Sequence, residues 1–269
     1  MNPTVLLYFA LGTVAGILAG MFGIGGGVII VPALIFIGGF TIASASGTSL
    51  AALLLPVAIL AVMDYYRKGF LDVKTASLMA FGLFAGSYFG AKAALMLPGP
   101  LLKQFYGLFL LYPAYRFIEP IELWKQYRAK KRGERYEKPE RGNGDIKRIH
   151  FLPTIGLALF AGVLSGMFGI GGGLVLVPMM VSIMKFPTKT AIGTSLAALM
   201  LPVGLPGVIV YYDAGVLDIL AAALIAGGIV AGSAFGSKIT LSMPGALVKK
   251  VYGFFLLAMS LDLIFLTFV

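Results

Sequence analysis

GMFGIGGG at residues 20–27 returns letter for letter at residues 166–173. Each copy sits in apolar sequence, where glycine is among the least helix-favouring residues, so the chain interrupts itself twice at the same point of a pattern. Sliding the sequence by 146 residues aligns its halves without a gap, and between Gly20 and Val57 the match is 23 identities in 38 positions. Val31-Pro32 meets Val177-Pro178, GTSLAAL at 47–53 meets GTSLAAL at 193–199, and Tyr65-Tyr66 meets Tyr211-Tyr212. Further on, Asp72 meets Asp218 and GSYFGAK meets GSAFGSK. The chain is an internal duplication.

Of its 269 residues, 59% are hydrophobic and 12% charged, in unbroken apolar runs that no water-soluble domain of this size buries. The composition is that of an integral membrane protein. Thr4 to Met21 lacks the basic start and small-residue cleavage site of a signal peptide and reads as a span. With no cysteine, disulfides, zinc thiolates and thiol catalysis are excluded. His150 is the single histidine, and no acids pair at matching depth, so neither a catalytic set nor a metal site is expected, and no cofactor. GIGGG is not a dinucleotide fingerprint, because no soluble strand precedes it and no acid follows about 20 residues later.

Between the halves, residues 119–150 carry ten Lys or Arg and six acids. This is a solvated linker; its first part, Glu119 to Lys131, has helical charge spacing and a lone Trp124 suited to the headgroup level. The expected division is a first transmembrane repeat at 1–118, a basic cytoplasmic linker at 119–150 and a second transmembrane repeat at 151–269. Each repeat reads as five apolar segments, near 4–22, 26–40, 47–65, 71–96 and 101–118, with counterparts near 151–168, 172–184, 193–211, 216–242 and 246–268. The second segment of each is too short for a ~30 Å hydrocarbon core. The predicted fold is an all-α polytopic membrane protein with short or Gly-interrupted helices at the repeat interface.

Five crossings per repeat imply inverted topology, and the charges agree. Lys and Arg favour the cytoplasmic side; counted outward from the linker they divide 19 to 2, with Lys92 and Lys103 outside. Duplicated loops have diverged accordingly: YYRKG is basic where YYDAG is not, and FPTKT is basic where FTIAS is not. Both chain ends fall outside.

Inverted repeats with matching short, Gly-interrupted segments are characteristic of secondary transporters, whose binding sites lie at the repeat interface. In lipid, irregular backbone is tolerated only inside protein or against a water-filled cavity. The glycines let a ligand touch the backbone, and helices starting near Gly27 and Gly173 would aim free N–H groups and a positive dipole end at an anion. The GTS triplets read as a second helix opening, with hydroxyls that cap the helix or donate to an oxyanion. The candidate substrate-binding residues are therefore Gly25, Gly26, Gly27, Thr48 and Ser49, with Gly171, Gly172, Gly173, Thr194 and Ser195. The alternatives are close helix packing for the glycines, as for Gly12, Gly16 and Gly20, and plain N-capping for the hydroxyls. Lys92 and Lys238 sit near helix ends, as snorkelling cations or as vestibule charges that attract substrate. Asp72 and Asp218 look like N-caps; Asp64 and Asp262 lie near helix ends.

GMFGIGGGVIIVPAL followed by GTSLAALLLPVA, repeated after a basic central loop, resembles the TauE/SafE family, the sulfite exporters or sulfonate uptake permeases, over essentially the whole chain. The duplicated G-x-G-G-G-x-x-x-x-P is specific in a protein of this size. The resemblance implies secondary transport of sulfite, sulfoacetate or other organosulfonates across a prokaryotic inner (cytoplasmic) membrane. H+ or Na+ is the candidate coupling ion. Both motifs are complete, which favours a site shared by the two halves. An anion channel, or a carrier of another small anion on the same scaffold, is the alternative reading, and flux coupling separates them. The expected partners are the small anion and the lipid bilayer, with no nucleic acid; the sequence leaves the oligomeric state open.

Overall fold

The computed structural model describes residues 3–22, 25–55, 59–120 and 151–242, together with 124, 128, 131, 132, 253, 254, 256–258, 260, 261, 263 and 264. Among them the regular structure is helical. The first half contains α1 (Pro3–Phe22), α2 (Gly27–Phe36), α3 (Ile42–Ala52), α4 (Ile59–Arg67), α5 (Val73–Met96) and α6 (Gly99–Ile118). The second half contains α7 (Phe151–Phe168), α8 (Gly173–Ser182), α9 (Thr188–Met200), α10 (Leu205–Asp213) and α11 (Ile219–Ser242). By length and composition α5 and α7 can each cross a membrane unbroken, and residues 190–213 can do so as a pair of helices bent by 46°.

The short second segment of each half is shorter than the sequence predicts. α2 and α8 have 10 residues each, a rise of about 15 Å against a ~30 Å core. The third segment differs more. Expected as one run from 47 and from 193, it starts earlier and is broken: α3 and α4 in the first half, α9 and α10 in the second. In the second half the physical cause is Pro202. The residue before a proline is pushed out of the helical region, and Leu201 is extended at ψ 150°. The GTS triplets consequently do not open helices. Thr41 caps α3, its side chain accepting from the Ser44 N–H at 3.2 Å, and Pro187 precedes α9, so both triplets lie buried inside their helices.

Small residues decide how these helices meet. On α1, a methyl built on Gly12 or Gly16 would lie 2.9 Å from Ile225 Cα or 2.7 Å from Ile229 Cα of α11. On α5, one built on Gly82 or Gly86 would lie 2.6 Å from the Ala158 methyl or 2.8 Å from Gly162 Cα of α7. Such approach suits helices in lipid, where van der Waals contact replaces the hydrophobic drive. The contacts are crossed: Gly16 meets Ile229, and their counterparts 146 residues along, Gly162 and Leu83, meet as well. Gly47 would touch Tyr211 Cβ at 2.8 Å, and Gly193 would touch Tyr65 Cβ at 3.0 Å, in the same reciprocal way.

The chain divides into two compact units, residues 1–99 with 144–241 and residues 100–143 with 242–269, each drawing on both halves of the sequence. In the second unit α6 packs by Gly107, whose added methyl would lie 2.7 Å from Ile264, and Ser260 Oγ donates to the Gly107 carbonyl at 2.7 Å. Where the linker is described, Arg128 stacks its guanidinium 3.8 Å from the Trp124 ring centroid, one helical turn away.

Candidate functional site

Each glycine stretch turns through two consecutive left-handed residues before its short helix begins. Gly25 and Gly26 have φ of 79° and 80°, and Gly171 and Gly172 have 75° and 79°, a backbone that residues with a Cβ adopt only at a cost. The stretches lie against each other. A methyl on Gly25 would sit 3.5 Å from the Ile170 carbonyl oxygen and 4.0 Å from Gly171 Cα. One on Gly27 would collide with the Gly169 carbonyl oxygen and lie 2.7 Å from Ile170 Cα. Thus two helix starts are brought together inside the first compact unit.

A helix leaves its first N–H groups without intrahelical partners. The N–H groups of Ile29 and Ile30 bond back to the Gly26 carbonyl, and those of Val175 and Leu176 to the Gly172 carbonyl. For Gly27 and Val28, and for Gly173 and Leu174, no acceptor occurs among the described residues, although all four are buried. Consecutive N–H groups over left-handed glycines form the concave donor arrangement that binds anions.

A cavity of about 40 Å³ opens beside this junction, with Gly25 and Gly171 in its wall. Its lining repeats the duplication, Leu50 with Leu196 and Leu53 with Leu199, and Ser165 is the one side-chain hydroxyl there. A larger hollow of about 360 Å³, with Ile59, Met63, Tyr66 and Val73 in its wall, opens among α4, α5 and α9; nearly all hydrocarbon, it gives an anion no seat.

The hydroxyls of the GTS triplets are mostly engaged. Ser49 Oγ donates to the Gly169 carbonyl at 2.7 Å. Thr48 Oγ1 accepts the Asp218 N–H, and Thr194 Oγ1 accepts the Asp72 N–H, each at 3.1 Å. Ser195 Oγ is fully buried and has no partner among the described residues. Asp72 and Asp218 are the N-caps the sequence suggests, accepting from the Thr75 N–H at 3.1 Å and the Ala221 N–H at 2.9 Å.

The model of the sulfite exporter TauE/SafE family matches residues 8–263. The chain belongs to this family. Membership makes it a membrane transport protein and not an enzyme, as the names of its relatives agree. It is 25% identical over 267 residues to "Probable membrane transporter protein YunE" of Bacillus subtilis, covering 97% of both chains. It is 29% identical over 248 residues to "Probable membrane transporter protein MJ0441" of Methanocaldococcus jannaschii, covering 87% of this chain and 85% of that one. No solved structure matches.

Within this TauE/SafE chain, Lys92 stands apart from the glycine junction: it is exposed on α5 with Nζ 4.5 Å from the Tyr88 ring centroid. The side chains of Lys238 and Asp64, and residues His150 and Asp262 altogether, lie outside the described residues. No group of three or more metal-ligating side chains converges among the described residues. Two contributors escaped the sequence reading. Tyr211 donates its buried hydroxyl to the Gly166 carbonyl at 2.9 Å, near the end of α7 and at the first residue of the second glycine stretch. Ser87 donates to the Val203 carbonyl at 2.9 Å, holding the break between α9 and α10 from the other half. The repeated Tyr-Tyr and Gly-Ser pairs were the available signals.

Proposed function

We propose that this chain is a secondary transporter of small sulfur-containing anions, such as sulfite, sulfoacetate or other organosulfonates, and holds the anion where residues 25–27 and 171–173 meet. The observation that carries the reading is the buried N–H pair at the start of each short helix, Gly27 with Val28 and Gly173 with Leu174, for which no acceptor occurs among the described residues. A pair of helix N-termini attracts an anion through partial charges alone, without a fixed Lys that would hold it too long for turnover. Of the GTS hydroxyls, Ser49 already donates to Gly169, Thr48 and Thr194 are engaged as acceptors, and Ser195 has no partner among the described residues.

Inverted topology is part of the proposal. Reciprocal contacts between the halves, such as Gly16 with Ile229 and Leu83 with Gly162, are those of a two-fold relation, and the 19 to 2 charge split fits an axis in the membrane plane. The same split supports a multi-pass protein of the cytoplasmic membrane with the linker inside. The anion moves with H+ or Na+ as the driving ion.

Flux tests the reading. Purified protein in liposomes is expected to move sulfite or an organosulfonate faster than empty vesicles, and to accumulate it against its gradient when an ion gradient is imposed. Flux equal to that of empty vesicles for all these anions would overturn the substrate class. Fast flux that no gradient drives uphill would identify a channel instead.

A further inference from the structure

Gly25 and Gly26 share their left-handed backbone with Gly171 and Gly172 but not their surroundings. A methyl on Gly26 would face the Ala19 methyl at 3.5 Å, and one on Gly172 would face Ser165 Cβ at 3.7 Å. Positions 19 and 165 are equivalents in the repeat, yet one is alanine and the other serine. Ser165 is 3% exposed, lines the 40 Å³ cavity with Gly171, and has no hydrogen-bond partner for its hydroxyl among the described residues. Buried hydroxyls are normally paired. This one borders an enclosed space next to the start of α8, where the Gly173 and Leu174 N–H groups also find no acceptor among the described residues.

The second stretch is also held from the other half. Ser49 Oγ donates to the Gly169 carbonyl at 2.7 Å, whereas Ser195, its equivalent, is buried and has no partner among the described residues. A donor set bound to a fixed loop needs less ordering when its ligand arrives, and so binds it more tightly.

We infer that the anion is bound off-centre, at the start of α8, with Ser165 donating its hydroxyl alongside the Gly173 and Leu174 N–H groups, and that Ser49 clamps the loop without touching the anion. This rests on the transport reading above. The scaffold is doubled while the seat is single: each chain takes one anion, and the position of Ala19 at α2 supplies no equivalent donor.

The test uses the full-length protein in liposomes, with sulfite and sulfoacetate as probes, and reads KM together with the melting temperature. Ser165→Ala is expected to raise KM at least roughly tenfold, as for a lost hydrogen bond to a charged group, with the melting temperature unchanged because no protein bond is removed. Ser49→Ala is expected to lower the melting temperature. The double variant Ala19→Ser with Ser165→Ala moves the hydroxyl to the equivalent place at α2 and should stay as impaired as Ser165→Ala alone. Wild-type KM in Ser165→Ala overturns the assignment, and full recovery in the double variant overturns the off-centre seat. If wild-type protein carries neither probe, the transport reading falls first and this inference with it, a result distinct from a normal wild type with an indifferent Ser165→Ala.

Discussion

Thr48 accepts the backbone N–H of Asp218 at 3.1 Å, and 146 residues away in each direction Thr194 and Asp72 make the same bond with the halves exchanged. Each Asp caps its own helix with its carboxylate while its N–H is satisfied by a threonine from the other half of the chain. Thr48→Val and Thr194→Val keep the side-chain shape but leave a partly buried N–H unpaired, at a cost of about 1–3 kcal/mol each. Melting of the detergent-purified variants should show two similar losses. An unchanged melting temperature in both would mean that water replaces the threonine.

Two glycines of α7 should respond with opposite signs. Gly162→Ala would set a methyl 2.7 Å from the Leu83 carbonyl oxygen and 2.9 Å from Gly86 Cα, forcing α5 and α7 apart at about 1–3 kcal/mol. Gly156, six residues earlier on the same helix, has nothing within 4 Å of an added methyl, so Gly156→Ala should gain about 0.5–1 kcal/mol from helix propensity. The comparison needs only two melting curves. A common sign would contradict the close contact of α5 with α7.

Ser49 and Ser195 are identical in the sequence repeat and unlike in bonding. Ser49→Ala leaves the buried Gly169 carbonyl without its donor and should cost about 1–3 kcal/mol. Ser195→Ala removes a hydroxyl that has no partner among the described residues, so stability should hold or rise. Chemical denaturation of both proteins checks the asymmetry, which equal losses would remove.

Topology is open to direct chemistry because the chain contains no cysteine. A single cysteine at position 142 should react with an impermeant thiol reagent only after the cytoplasmic face is opened, and one at position 2 should react in intact cells. The reverse pattern at either site would contradict the inverted arrangement of the repeats.

The helical segments were legible because long apolar runs admit little else in lipid, and the start of α2 and α8 could be placed from Gly26 and Gly172, whose left-handed φ only glycine adopts cheaply. The break in the third segment was written in Pro202 but lay hidden in an apolar run. Gly47, Thr48 and Ser49 misled in an instructive way. Small and hydroxylated residues are loop chemistry in water; here they sit inside α3, where Gly47 makes room for the Tyr211 ring and Thr48 meets Asp218. Contacts of this kind depend on which helices cross, and a repeat offset reveals equivalence without revealing adjacency. The unequal bonding of Ser49 and Ser195 is beyond any reading of two identical triplets.

The crossed contacts also set a schedule for biosynthesis. Gly12 and Gly16 on α1 are shaped for Ile225 and Ile229 on α11, a partner that leaves the ribosome about 200 residues later. At 5–20 residues per second that is roughly 10–40 s, during which the glycine ridge of the nascent α1 must rest against lipid or the insertion machinery. The first half is thus born without the surface that completes it, and two fragments severed within the linker would each need the other before either could mature.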